Sequence, residues 1–357
     1  MTQTSRTAEF IQNQCARYPG LALQDLFKAL YQSAFGCGHF LADEAAGLEL
    51  LRREAAACTP FPGAAVEELD GSYCRIHLQY LQEHSLSPET FFRLFVRSAQ
   101  ASDGDQTALT ERLVCLTAMA EAGQIPFSPA ETAHAIADWA EAGYPPLHHS
   151  PQFRSAFAPA YRVLRREFLP LLPLLAEIDR LTAERPRVLV ALEGGSASGK
   201  TTLASLLEAI YDCNVFHMDD FFLRPEQRTQ ARFAEPGGNV DRERFWDEVL
   251  SPLTRNEAVR SRRYDCQTQT LQPPVEIPPK ALNIVEGAYS MHPALADAYD
   301  LSAFLAISPG AQAARIRRRN TPEQQAMFFS RWIPLESAYF AALDVPERCD
   351  LILNVES

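Results

Sequence analysis

The sequence predicts a chain of two regions that differ in fold class, a mostly α-helical region over residues 1–183 and an α/β region over residues 184–357. In the first region apolar residues recur at spacings of three and four, which is the period of an amphipathic helix. From residue 188 onward, short β-rich runs alternate with helical patterns, which is typical of a parallel sheet with helices on both faces. The five runs are Val188–Leu192, Asn214–Met218, Leu282–Val285, Phe304–Ile307 and Leu351–Val355.

Composition and charge argue against several classes of protein. A chain of 357 residues has the length of two ordinary domains. Its net charge of −12 would repel a nucleic-acid backbone, so no polymeric nucleic acid is expected as a partner. The longest apolar run, Phe168–Ala176, is interrupted by prolines and is too short to cross a membrane. The 8 cysteines include no C-x-x-C pair and the N-terminus lacks a secretory pattern, so we expect a cytoplasmic protein.

A phosphate-binding motif opens the α/β region. The stretch EGGSASGKTT matches G-x-x-x-x-G-K-[ST], follows an apolar strand and precedes an amphipathic helix, which is the context that this motif requires. Loop amides and the helix N-terminus would cradle the phosphates of ATP, while Lys200 reaches the β and γ oxygens and the Thr201 hydroxyl ligates Mg²⁺. The motif therefore predicts a P-loop NTPase fold with ATP and Mg²⁺ as cofactors. The predicted nucleotide-binding residues are Gly194, Gly195, Ser196, Ala197, Ser198, Gly199, Lys200, Thr201 and Thr202.

Carboxylates follow two of the later strands. Asp219 and Asp220 end the run Asn214–Met218, and Glu286 ends the run Leu282–Val285. An aspartate at this edge of a parallel sheet can accept a proton from an attacking hydroxyl or orient Mg²⁺. We predict Asp219 as a catalytic residue and Asp220 and Glu286, with Thr201, as metal-site residues. A helix cap or a solvated turn is the alternative for these carboxylates.

A cluster of arginines follows the fourth strand. Arg315, Arg318 and Arg319 fall on one face of a predicted helix. Guanidinium groups that face one way can clamp a transferring phosphoryl group with bidentate hydrogen bonds. A basic stripe on the surface is the alternative interpretation.

With these residues assembled, residues 187–357 resemble the uridine kinase family within the phosphoribulokinase and uridine kinase group. The resemblance implies a five-stranded sheet in the order 2-3-1-4-5 with a lid over the phosphates. It also implies that Asp219 is the catalytic base, that Arg315 and Arg318 form the lid clamp, and that Phe233 and Tyr264 lie in the acceptor pocket. The motifs that carry it are GGSASGKTT, Asp219–Phe222, Arg232–Pro236, Arg263–Asp265, Val285–Gly287 and the arginine-rich helix.

The residues expected to bind the phosphoryl acceptor depart from the family pattern. Where the family has F-D-H-P, this chain has Phe233-Ala-Glu-Pro236, and the position of a base-reading histidine falls on Gln269. Loss of the carboxylate that holds a sugar hydroxyl weakens the assignment to nucleosides. We therefore predict a small-molecule kinase that transfers the γ-phosphoryl group to a hydroxyl, with a nucleoside as first candidate acceptor. An ATP-binding regulatory or scaffold protein and a kinase for a non-nucleoside metabolite remain alternatives.

Residues 1–183 lie outside the resemblance. Two clusters there are candidate sites: Cys37-Gly-His39 with His77, and the segment 144–150 with His148 and His149. A metal site needs three or four convergent ligands, so capping or core histidines are the favoured interpretation. The sequence leaves open whether this region shapes the acceptor site, mediates assembly or regulates. For the protein as a whole, a homo-oligomer is one alternative.

Overall fold

The computed structural model describes residues 3–37, 43–59, 63–102 and 104–355. The chain divides into two compact units, Met1–Leu169 and Pro170–Ser357. Within the described ranges, no helix has the length and apolar character needed to cross a membrane.

The first unit combines helices with one small sheet. Its strands pair antiparallel in the order β1-β2-β3. The described elements are α1 (Gln3–Arg17), α2 (Leu23–Phe35), α3 (Glu44–Ala57), β1 (Val66–Glu68), β2 (Tyr73–His77), α4 (Gln79–Glu83), α5 (Pro88–Gln100), α6 (Gln106–Glu121), α7 (Pro129–Glu141), α8 (Pro151–Phe157) and β3 (Tyr161–Arg165).

Side-chain caps start many of these helices. Asp43, Ser87, Asp105, Ser128 and Ser150 each accept a hydrogen bond from a backbone N–H in the first turn of the helix that follows. Such a cap satisfies one of the N–H groups that the first turn leaves without an intrahelical partner. A proline also stands in the first turn of α5, α7 and α8, where its fixed φ suits the helix and no N–H is required.

The second unit is built on a five-stranded parallel sheet. The strand order is β5-β10-β4-β11-β12, which in chain order within the unit is the predicted 2-3-1-4-5. The described elements are α9 (Leu172–Glu184), β4 (Val188–Glu193), α10 (Lys200–Ile210), β5 (Cys213–His217), α11 (Gln230–Ala234), α12 (Arg242–Phe245), α13 (Ser251–Thr254), β6 (Val259–Ser261), β7 (Tyr264–Asp265), β8 (Thr270–Leu271), β9 (Val275–Ile277), β10 (Leu282–Glu286), α14 (Pro293–Ala296), β11 (Leu301–Ala306), α15 (Pro309–Arg319), α16 (Pro322–Met327), α17 (Ile333–Ala342), α18 (Val345–Arg348) and β12 (Leu351–Asn354).

Helix α9 lies in the second unit, although the sequence led us to place residues 172–183 in the first. Its apolar face, which includes Leu174, Ile178 and Leu181, is buried, and the helix packs against β4 and β11. The prolines and the linker-like stretch that follows suggested a boundary after this helix. Burial of its apolar face on the sheet decides its membership instead.

Gly287 brings the ends of β10 and β5 into close contact. Its φ is 143°, in a region that favours glycine. A Cβ atom at this position would lie 2.6 Å from the Cβ atom of Met218. The close approach sets the residue after β10 against the turn that carries Asp219.

Replacement of Gly287 by alanine should therefore destabilise the second unit by about 2–4 kcal/mol, since it adds both backbone strain and a steric overlap. Chemical denaturation followed by fluorescence measures this change. Gly310→Ala is the matched control, because no atom lies within 4 Å of a Cβ there, and it should leave the free energy of unfolding nearly unchanged. Equal effects of the two substitutions would contradict the steric argument.

Candidate active site

The glycine-rich loop joins β4 to α10 along a backbone path that needs glycine. Gly194 and Gly199 have φ values of 148° and 106°. A Cβ atom on Gly194 would lie 2.9 Å from the carbonyl oxygen of Leu305, so no other residue fits there. Helix α10 begins at Lys200, so its N-terminal amides face the loop. This is the strand, loop and helix arrangement that binds phosphate groups.

Lys200 folds back over the loop. Its Nζ atom donates to the carbonyl oxygens of Gly194 at 2.8 Å and Gly195 at 3.0 Å. Three carboxyl groups, those of Glu193, Asp219 and Glu336, interact electrostatically with the same ammonium group. Clustering of perturbed carboxyl groups around one lysine is characteristic of functional sites.

Glu193 is a buried carboxyl group at the end of β4. It accepts hydrogen bonds from the backbone N–H groups of Gly194 at 2.8 Å, Tyr289 at 3.2 Å and Met291 at 3.0 Å, and from the Tyr339 hydroxyl at 3.1 Å. Burial raises the pKa of Glu193 to about 7, although the hydrogen bonds that it accepts act to lower the pKa. The residue therefore ties the loop to the segment after β10 and to α17. One signal in the sequence could have found it, an acidic residue that ends an apolar strand directly before the loop.

Asp219 lies in a helical turn, Met218–Phe221, directly after β5. Its side chain is exposed, although nearby protein atoms reduce its hydration. The resulting loss of hydration raises the pKa of Asp219, the charges of Glu286 and Asp220 raise it further, and Lys200 opposes the shift. Asp219 can therefore accept a proton more readily than an ordinary surface aspartate.

The predicted metal-site residues divide into two groups. The Thr201 hydroxyl donates to Glu286 Oε1 at 3.2 Å, and the Nδ1 atom of His217 lies 2.7 Å from the same oxygen. The hydrogen bond between His217 and Glu286 raises the pKa of His217. Hydroxyl and carboxylate oxygens side by side fit Mg²⁺, which binds one or two carboxylates together with substrate phosphates. Asp220 is instead paired with Arg263, whose Nε atom lies 2.9 Å from Oδ1.

Arg315 contacts the backbone of the glycine-rich loop. Its Nη1 atom donates to the carbonyl oxygens of Ala197 at 3.3 Å and Ser198 at 3.1 Å, and Nη2 donates to Val355 at 2.7 Å. Arg318 is exposed on the same helix, α15. In this structure Arg315 braces the loop backbone, and the clamp role of both arginines stays a prediction.

Glu336 on α17 occupies part of the loop itself. Its Oε2 atom accepts from the backbone N–H of Ser196 at 2.8 Å, and Oε1 accepts from the Ser196 hydroxyl at 2.6 Å. Burial raises the pKa of Glu336. The side chain of Gln312 also contacts Ser196, because it donates a hydrogen bond to the Ser196 carbonyl at 2.8 Å. A protein carboxylate thus lies on an amide of the phosphate-binding loop, a contact that the sequence did not reveal.

The three predicted acceptor residues have different neighbours. Phe233 is half-buried beneath the guanidinium of Arg331, which lies 5.7 Å from its ring centroid. Tyr264 is buried, and its hydroxyl accepts from Arg228 Nη2 at 2.9 Å. Gln269 is exposed in the turn between β7 and β8, with a φ of 55°. Their assignment to one pocket stays a prediction.

Two of the candidate histidines of the first unit contact one tyrosine. His77 and His149 are buried, and both rings contact the ring of Tyr161, whereas His148 is exposed. His39 falls outside the described residues. In the part of the chain that the structure describes, no group of three or more His, Cys, Asp or Glu side chains is placed to hold a metal ion.

No family model matches the chain, and no curated protein matches it. A possible uridine kinase from Bacillus stearothermophilus is 21% identical with a TM-score of 0.39, over 51% of this chain and 99% of that one. A candidate fructose transport system kinase from Silicibacter sp. TM1040 is 25% identical with a TM-score of 0.42, over 49% and 94% of the two chains. Shikimate kinase from Bacteroides thetaiotaomicron is 16% identical with a TM-score of 0.25, over 48% and 89%.

The raised pKa of Glu193 predicts a pH dependence of stability. The folded state binds a proton at Glu193 up to about pH 7, whereas the unfolded chain releases it near pH 4.5. The stabilising contribution is therefore complete below pH 4.5 and is lost as the pH rises to about 7, by on the order of 3 kcal/mol. Denaturation midpoints measured between pH 4.5 and 8 should show this decline in the parent and a smaller decline in Glu193→Gln. The exposed Glu208→Gln should keep the parental profile, and an unchanged profile in Glu193→Gln would refute the assignment.

Proposed function

We propose that the protein is an ATP-dependent kinase that transfers the γ-phosphoryl group of ATP to a hydroxyl of a small metabolite. The observation that carries this proposal is the position of Asp219. Asp219 follows β5 at the edge of the sheet where the glycine-rich loop and Glu286 follow the neighbouring strands, and Lys200 and Glu286 both affect its raised pKa. A proton acceptor next to a phosphate cradle is what transfer to a hydroxyl requires.

In the proposed reaction each of these protein groups has one role. The acceptor oxygen forms a bond to the γ-phosphorus while the bond to the bridging oxygen of ADP breaks, and Asp219 takes the hydroxyl proton. Lys200 and the loop amides hold the phosphate oxygens in line. Thr201 and Glu286 would hold Mg²⁺, which neutralises phosphate charge when bound. Catalysis by this site is mainly positioning and electrostatic stabilisation.

Arg318 is the residue that we assign to the transferring phosphoryl group, with Arg315 as its support. Arg315 is already engaged with loop carbonyls, whereas Arg318 is exposed three residues further along α15. An arginine that contacts the phosphoryl group in the transition state contributes roughly 10³-fold or more to the rate. A nucleoside is the first acceptor to test, and sugars and other small alcohols are the next. We place this activity in the cytoplasm, since all eight cysteines are free thiols.

A second candidate function follows from Glu336. Because its carboxylate lies on the Ser196 amide, a phosphate that reaches this amide must displace it. Nucleotide binding would then move α17, as in a protein that senses nucleotide and signals to a partner. Phosphoryl transfer to an added acceptor distinguishes the kinase from this sensor.

Asp219→Asn should lower acceptor-dependent ADP formation by about 10²–10⁴-fold, because the substituted side chain cannot take the proton. The assay measures ADP release with a panel of nucleosides, sugars and other small alcohols, and equilibrium ATP binding alongside. Binding of ATP should be nearly unchanged in the variant.

The exposed Asp247→Asn serves as control and should retain the parental rate. If no acceptor raises ADP formation above basal hydrolysis while ATP still binds, the kinase proposal is wrong and the sensor is favoured. If Asp219→Asn retains full transfer activity, Asp219 is not the base.

Glu336→Gln should bind ADP more tightly than the parent, by roughly tenfold, because phosphate then displaces a neutral group instead of a carboxylate. Isothermal titration with ADP measures the difference. Glu347→Gln, which changes an exposed carboxylate of α18, should have the parental affinity. Weaker binding by Glu336→Gln would show that the carboxylate supports the loop rather than competing with phosphate.

A further inference from the structure

Glu286 is a buried carboxylate at the end of a central strand. The residue is 5% exposed, and its strand, β10, is paired on both sides, with β4 and with β5. Burial of a carboxylate is costly unless donors satisfy its oxygen atoms. The hydrogen bonds that Glu286 accepts therefore decide whether its carboxylate keeps one orientation.

Two donors meet at one oxygen atom of this carboxylate. The Nδ1 atom of His217 lies 2.7 Å from Glu286 Oε1, and the Thr201 hydroxyl oxygen lies 3.2 Å from the same atom. Hydrogen bonds from N–H groups to oxygen range from about 2.7 to 3.2 Å, whereas those from hydroxyl groups range from about 2.5 to 3.0 Å. The contact with His217 is at the short end of its range, and the contact with Thr201 is longer than usual. His217 is therefore the stronger restraint on the orientation of Glu286.

Strand pairing sets the position of His217 relative to Glu286. His217 is the last residue of β5 and Glu286 is the last residue of β10, and the two are direct partners in the parallel pairing of these strands. Because side chains alternate between the faces of a sheet, direct partners point to the same face. A carboxylate oxygen only accepts hydrogen bonds, so the Nδ1 atom of His217 carries the hydrogen. The register of the sheet thus fixes both ends of this hydrogen bond.

A contribution to stability alone is the other explanation for this pair. The side chain of His217 is 43% exposed, whereas that of Glu286 is 7% exposed. A buried charge held by a half-exposed partner gains little stability compared with a well-packed apolar residue. The pair lies instead next to Thr201, in the first turn of α10, where the phosphates of a nucleotide would bind. Its place in the fold therefore favours a role toward the bound nucleotide and its metal ion.

We propose that His217 is a positioning residue for Mg²⁺, which holds the Glu286 carboxylate beside Thr201 in the orientation that binds the ion. This inference rests on the proposed function, in which Thr201 and Glu286 hold Mg²⁺. A carboxylate that is already held in place loses less conformational freedom when the ion binds. Carboxylates that ligate metal ions are themselves hydrogen-bonded, and loss of such a partner lowers metal affinity by about 10–100-fold.

Substitutions of His217 separate its hydrogen bond from the bulk of its ring. His217→Asn keeps an N–H donor near the position of Nδ1, whereas His217→Leu removes the donor and keeps a side chain of similar reach. Isothermal titration of Mg²⁺ into the full chain with ADP bound gives the Kd of the ion. His217→Leu should raise this Kd by about 10–100-fold, and His217→Asn should stay near the parent. The control His134→Leu, which changes an exposed histidine of α7, should behave as the parent does.

Binding of ADP in the absence of Mg²⁺ shows whether the glycine-rich loop is intact. With EDTA present, His217→Leu should bind ADP as tightly as the parent, because loop amides and Lys200 hold the phosphates in the proposed site. A general loss of structure would weaken ADP binding with and without the ion. A positioning role changes only the affinity for the ion.

Three results would overturn the proposal. In the first, His217→Leu binds Mg²⁺ as tightly as the parent. In the second, His217→Asn is as impaired as His217→Leu, so the Nδ1 hydrogen bond is not the cause. In the third, His217→Leu loses affinity for ADP equally with and without Mg²⁺, which indicates a structural role.

Formation of ADP with added acceptors tests the proposed function separately. If His217 governs Mg²⁺ affinity as expected but the parent phosphorylates no acceptor, the positioning role stands and the kinase proposal fails. If the parent phosphorylates an acceptor and His217→Leu keeps the parental affinity for Mg²⁺, the kinase proposal stands and the positioning role fails. If the parent with ADP bound takes up no Mg²⁺, the assignment of the metal site is wrong and the positioning role is wrong with it.

Discussion

The candidate active site depends on the parallel pairing of β10 with both β4 and β5. This register sets Glu286 opposite Leu192 on one side and opposite His217 on the other. Because the three strands run in the same direction, the glycine-rich loop, Glu286 and the turn of Asp219 leave the sheet at one edge. A slip of one residue in either pairing would turn Glu286 to the opposite face and separate it from Thr201.

Glu193 connects several segments at that edge through hydrogen bonds. A carboxyl group at the end of a central strand is tolerated only when its oxygens have donors, and here the donors come from the segment after β10 and from Tyr339. The loop, the end of β10 and α17 therefore share one buried group. A movement of α17 that withdraws the Tyr339 hydroxyl leaves Glu193 less well satisfied, so the position of this helix and the geometry of the loop are energetically coupled.

Features set by neighbouring residues were predictable from the sequence, and those set by distant partners were not. The motif from Gly194 to Thr201 dictates its own backbone path, and apolar runs that end in carboxylates predicted the strand ends. Glu336 lies 140 positions from Ser196, and a glutamate on a helix has the same local pattern whether it faces solvent or a loop. The local sequence likewise predicted that Arg315 lies on a helix. It could not predict that Arg315 donates hydrogen bonds to carbonyl oxygens of the distant loop.

The surroundings of Lys200 bear on how phosphate enters the glycine-rich loop. Around Lys200, loss of hydration raises the pKa of Glu193, Asp219 and Glu336. Glu336 also lies on the Ser196 amide, so a phosphate at this amide requires Glu336 to withdraw. We therefore expect occupation of the loop by phosphate to be coupled to a movement of Glu336 and of α17, the helix that carries it.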